Sequence, residues 1–172
     1  MCAANKLVAV QQRQLWEVCE NIVQYHHAGI TRLCKCIEDY LHTTQQNNGL
    51  PLEKLELTSL LFYKLQDELS RVFLKETKIL FPCIASKCKT KAKENCSCLH
   101  NSVVESLQKN HQNIIQLTQK LRYILHNYST LNTSTASWHQ CLNNFFELEN
   151  KIMLWIHTEA QELHHATYKP TI

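Results

Sequence analysis

Four residues able to coordinate a metal or carry a proton fall, one each, on the apolar stripes of four helix-forming runs: His27, Glu76, His111 and Glu159. Glu76 is the sharpest case. Phe73, Glu76 and Leu80 stand at i, i+3 and i+7, and Val72 lies one turn before the acid, so the carboxylate points where its hydrophobic neighbours point. An ionised carboxylate is expensive in an apolar interior unless it is paired, hydrogen-bonded or bound to a metal. His27 stands four residues after Val23 and three before Ile30. His111 interrupts the row Val104, Leu107, Ile114, Ile115, and Glu159 follows Trp155 and Ile156 in the last stripe. Two acids and two imidazoles at one level of a helical bundle are the raw material of a di-iron or di-manganese carboxylate site, in which acids bridge metals and histidines cap them. A metal-free layer of Glu–His pairs, bridged by water, satisfies the same groups. The residues alone leave both readings open.

The elements that must position these side chains follow from composition and period. Two glycines and three prolines in 172 residues, with long runs rich in Leu, Gln, Lys, Glu and Ile, predict an all-α chain. That length suits a single domain, here 1–172, with a core over about 6–166 and a loose tail at 167–172. The first run, Lys6 to His42, carries Leu15, Val18, Ile22, Val23, Ile30, Leu33, Ile37 and Leu41 at three and four spacing. Gly29 inside it costs about 1 kcal/mol relative to alanine. A polar break at Thr43 to Gly49 precedes Pro51, which opens a second helix reaching Ala85, frayed or kinked at its end by Pro82. Ser86 to His100 reads as a connecting loop. Ser102 and Glu105 have capping-box spacing and start a third helix, and a fourth follows the Asn/Ser/Thr break at Asn127 to Thr135. Joined by short or moderate loops, four such helices make an up-down-up-down bundle. In that arrangement Glu76, His111 and Glu159 lie two to three turns from one end and His27 about four, so they can share a layer.

Several function classes are disfavoured. A formal charge of +3, with basic residues scattered except at Lys87, Lys89, Lys91 and Lys93, is no nucleic-acid footprint. No stretch approaches the roughly 20 apolar residues of a membrane span, and the N-terminus lacks the pattern of a secretory signal, which predicts a cytoplasmic protein. Nine cysteines, some in Cys-x-Cys pairs, fit reduced thiols better than a secreted disulfide framework. The cluster Cys83, Cys88, Cys96, Cys98 and His100 matches no standard zinc spacing and reads as free thiols in a lysine-rich loop. No nucleotide loop or catalytic nucleophile is nominated, so no enzymatic turnover is argued.

From Val23 to Ala166 the chain resembles the hemerythrin-like domain of the iron–sulfur cluster repair di-iron proteins, the repair-of-iron-centres family. Tyr25-His26-His27 followed by Ile37 and Tyr40-Leu41, then Asn48-Gly49, carry part of the likeness. Lys75-Glu76 with Ile79-Leu80-Phe81-Pro82, the helix led by His111, Glu147-Leu148-Glu149-Asn150, and Trp155 to Glu159 carry the rest. The resemblance implies a hemerythrin-like bundle binding one or two non-haem iron ions through His27, Glu76, His111 and Glu159. It also implies a role in iron–sulfur repair under nitrosative or oxidative stress, with iron–sulfur proteins as partners. Where the family places further histidine ligands this chain has Asn48, Val72 and Trp155, which points to a reduced metal site or to a metal-free bundle used as an interaction module.

Overall fold

The computed structural model describes residues 15–43, 52–89, 101–129 and 135–163. Every regular element among them is helical, and they group into four rods. The first, α1, spans 15–43 and includes a π-helical turn at Ile22–His27 followed by regular helix at Ala28–Thr43. The second, α2, runs through Leu52–Lys75, a π turn at Glu76–Leu80 and Phe81–Lys89. The third, α3, is Asn101–Ile124, and α4 joins Ala136–Thr158 to a π turn at Glu159–Leu163. No helix among the described residues is long and apolar enough to cross a membrane. The predicted tail at 167–172, Asn48 and the Ser86 to His100 connection, apart from its helical start, lie outside the described residues.

Cross-helix pairs fix the directions. On α1 and α2, His27 meets Glu76, Glu38 meets Gln66 and His42 meets Tyr63, so numbers rise on one helix as they fall on the other. The same reversal relates Lys54, Glu68 and Lys75 on α2 to His126, Asn110 and Ser106 beside or on α3. It recurs between Arg122 and Glu149 and between His111 and Glu159 on α3 and α4. Finally, α1 and α4 meet through His27 with Trp155 and Tyr40 with Trp138.

The core is built from the predicted stripes. On α2, Leu55, Thr58, Phe62, Leu65, Leu69, Val72 and Glu76 step by three and four; on α3, Leu107, Ile114, Leu117, Leu121 and Leu125 do the same. On α1 the pattern departs from expectation. The buried face passes from Ile22 directly to His27, a step of five, while Val23 is exposed. A π turn closes its hydrogen bonds over five residues, and here it keeps His27 on the stripe that a regular helix would have rotated away. Pro82 does not end α2, which continues to Lys89. Just before it, Phe81 donates to the Glu76 carbonyl in π register, so the ladder is already shifted where proline lacks its N–H. Cys83, read from sequence as a free thiol, is buried and disulfide-bonded.

At the opposite end of the bundle, α3 closes with His126, Asn127 and Tyr128 in left-handed backbone, at φ of 49°, 56° and 61°. Asn accepts that region readily, whereas for His and Tyr it costs about 1–2 kcal/mol each. The turn delivers the Tyr128 hydroxyl to buried Glu149, to which it donates at 2.8 Å. At the start of α4 the Thr135 hydroxyl caps the helix by accepting from the Trp138 N–H at 3.3 Å.

Gly29 offers a test of the helix accounting. A Cβ built there meets the Lys151 side chain at 3.6 Å, an ordinary contact, so nothing in the packing demands glycine. Gly29→Ala is expected to stabilise the protein by about 0.5–1 kcal/mol through helix propensity, read as a higher urea midpoint with an unchanged slope.

Candidate metal centre

The π turns gather where the polar residues do. His27 ends the turn on α1, Glu76 begins the one on α2 and Glu159 begins the one on α4. Such turns widen the helix locally and change which way a side chain is aimed. His111 sits on regular helix. The four side chains come together in the core, with His27, Glu76 and Glu159 buried and His111 nearly so.

The geometry divides the four into unequal roles. The His27 Nε2 lies 2.7 Å from Glu76 Oε2, a strong hydrogen bond between buried groups. The other Glu76 oxygen faces a different pair. His111 Nε2 is 3.9 Å from Glu76 Oε1 and 3.1 Å from Glu159 Oε2. Glu76, His111 and Glu159 each present one ligand atom, and these atoms lie within 4.8 Å of one another. Ligand bonds of about 2.1 Å put neighbouring donors about 3–3.5 Å apart, so the His111–Glu159 pair already has the spacing of a coordination shell and Glu76 must close by a few tenths of an ångström. His27 does not belong to this converging set. Its place is behind Glu76, where a hydrogen bond to the second carboxylate oxygen fixes the first.

Several atoms of the layer have no hydrogen-bond partner although they are buried: Glu76 Oε1, Glu159 Oε1, His111 Nε2 and Trp155 Nε1. The 3.1 Å approach of His111 to Glu159 is close but poorly aligned for a hydrogen bond, as expected of two groups aimed at a common point rather than at each other. Glu149 shows how this chain satisfies an acid when nothing else is to bind it. Arg122 reaches both of its oxygens, at 3.0 and 2.6 Å, and Tyr128 adds a third bond. An unsatisfied buried polar atom costs on the order of 1–3 kcal/mol, so the orphaned set weighs heavily against the ~5–15 kcal/mol that holds a domain folded. A divalent cation between the three ligand atoms supplies the missing partner for both carboxylates and the imidazole together.

The walls are apolar. His27 stacks on Phe73 at 3.9 Å, and Trp155 stands edge-on to His111 at 5.0 Å, Phe73 at 5.1 Å and His27 at 5.9 Å. Val72 and Trp155, at positions where the resemblance implies imidazoles, are fully buried in the core. Neither His157, which is exposed, nor His26, which is half-buried, joins the cluster. The cysteines do not contribute: burial pushes the Cys34 and Cys141 thiols up to about 12, and Cys36 is exposed. Sequence reasoning missed the unpartnered indole and the buried Glu149 with its clamp. A tryptophan in a stripe reads as packing, and Glu149 lies beside stripe position Leu148.

Electrostatics follow from burial. Burial pulls the His111 imidazolium down, but Glu159 and Glu76 together outweigh it and push its pKa up to about 9. Burial pushes Glu159 up to about 7, with Glu76 adding to the rise and His111 opposing it. Both groups hold protons more tightly folded than unfolded. Their stabilisation is therefore complete below their unfolded values, 4.5 for Glu159 and 6.5 for His111, and is lost as pH rises through about 7 and about 9. The metal-free protein is thus expected to lose stability steadily from pH 5 to 9 in urea titrations. Saturating divalent metal is expected to flatten or reverse that slope, because protons compete with the ion for the same atoms.

No model of a known protein family matches the chain, and a search of curated proteins finds no match either.

Proposed function

We propose that this chain is a hemerythrin-like, up-down-up-down four-helix bundle holding one non-haem iron ion between Glu76, His111 and Glu159. In this reading it works in the cytoplasm in the protection or repair of iron–sulfur centres under nitrosative and oxidative stress, with iron–sulfur proteins as its partners. The observation that carries the metal reading is the convergence of three buried ligand atoms from three helices, with polar atoms there that nothing else in the chain satisfies. The biological role rests on the sequence resemblance.

The donor set favours iron or manganese. Two carboxylate oxygens and one imidazole are hard to borderline ligands, and no thiolate joins them to draw in a softer ion. One ion is favoured over two because His27 Nε2, which would have to serve a second site, is already bound to Glu76 Oε2. Each residue then has a distinct task. Glu76 and Glu159 bring negative charge to the ion, His111 supplies the nitrogen ligand once it gives up its proton, and His27 holds the orientation of Glu76. Phe73, Val72 and Trp155 keep bulk water away, which strengthens every electrostatic contact inside. Iron so held supplies Lewis acidity and one-electron redox chemistry.

A metal-free interaction module is the competing reading. What favours it is that Val72 and Trp155 fill the space with apolar bulk and that His27 and Glu76 already satisfy one another. The two diverge in a direct measurement on protein purified from iron-supplemented cells. The metal reading expects about one iron per chain by elemental analysis, falling below about a tenth in Glu76→Gln/Glu159→Gln, which keeps shape but removes charge. Less than about a tenth of an iron in the parent protein, unchanged in the double variant, contradicts it.

A further inference from the structure

Among the orphaned atoms of the layer, one is of the wrong kind for a metal. Trp155 Nε1 carries a hydrogen and can only donate, yet it is buried in a fully enclosed indole with no acceptor. Buried indole N–H groups usually find a partner, because leaving one unpaired forfeits a hydrogen bond that water would have given. The ring stands edge-on to His111 at 5.0 Å and to His27 at 5.9 Å, so its N–H lies within the same layer as the ligand atoms. Trp155 is also one helical turn before Glu159 on α4, on the same face.

Three protein ligands leave coordination positions open on an ion of this class. With Phe73 forming the rest of that wall, an incoming ligand meets apolar surface and a single hydrogen-bond donor. Two carboxylates and a neutral imidazole nearly cancel a divalent charge, and a trivalent ion leaves one positive charge over. We propose that Trp155 is the specificity-determining residue for a small monoanion bound on the open side of the ion, its Nε1–H donating to that anion. This inference rests on the metal reading above. It explains why a donor that can never be a metal ligand occupies a fully buried place beside three that can. The indole rejects bulky or multiply charged ligands by lack of room and of further donors, and favours a slim anion with one exposed acceptor.

The test uses the full chain loaded with cobalt(II), whose visible bands report the coordination sphere, and azide as the probe anion. Azide is expected to alter the cobalt bands saturably. In Trp155→Phe, which keeps an aromatic wall, cobalt content is expected to stay at the parent level while azide affinity falls about tenfold, the size of one charge-assisted hydrogen bond. A second measurement needs no substitution. With 15N-labelled parent protein loaded with diamagnetic zinc(II), the Trp155 indole N–H resonance is expected to move downfield and exchange more slowly as azide is added. Equal azide affinity in parent and variant, or an indole resonance unmoved at saturating azide, overturns the assignment while leaving the metal centre standing. Failure of the parent protein to take up cobalt or zinc at all instead removes the metal reading, and the anion site with it.

Discussion

The bundle is governed by the cost of burying two acids. Glu76 and Glu159 sit in its interior on facing helices, and an ionised carboxylate there is tolerated only against compensating charge and hydrogen bonds. His111 stands between them and His27 behind one of them, so the layer is partly neutralised by histidine protons. That neutralisation is incomplete, since one oxygen on each acid still lacks a hydrogen bond. The contrast with Glu149 is internal to the same fold. There an arginine fork and a tyrosine hydroxyl consume the carboxylate, and a turn of left-handed backbone is spent in placing the tyrosine. A chain that closes off one buried acid so thoroughly and leaves two others open to a common point has built a binding site in its core.

Regular helices alone do not produce this layer. Three of the four polar residues lie at the edge of a π-helical turn. On α1 the wider turn spans a five-residue step between Ile22 and His27 that a uniform α-helix would place on different faces. On α2 the π register begins at Glu76 itself, and it lets the helix pass through Pro82. Widened turns are less favourable than α-helix and persist where tertiary contacts compensate. Here the compensation is the meeting of His27 with Glu76 and the aromatic stack of His27 on Phe73.

The helical class, the stripes and the presence of one polar residue on each helix were readable because burial follows period, and period is written in the sequence. The exposed side of Val23 was not, because a π turn leaves no compositional mark and its five-residue step looks like an ordinary stripe with one residue too many. Pro82 misled for the same reason: its effect depends on the hydrogen-bond register of the turn before it. The division of labour was hidden as well. A histidine facing a carboxylate reads alike whether it shares a metal or holds the acid's far oxygen, and only the distances separate His27 from His111. Trp155 was legible as core but not as an unpartnered donor, since satisfaction of an N–H is a property of neighbours, not of residue type.

The central claim is that one ion occupies the point on which Glu76, His111 and Glu159 converge, with His27 outside its coordination sphere. Anomalous diffraction from crystals grown with iron(II) or manganese(II), collected on both sides of the metal edge, tests this most directly. The account predicts a single anomalous peak per chain between Glu76 Oε1, His111 Nε2 and Glu159, with the His27 to Glu76 hydrogen bond of 2.7 Å retained. A second peak bridged by Glu76 and ligated by His27, or the absence of any peak in the layer at saturating metal, would contradict it.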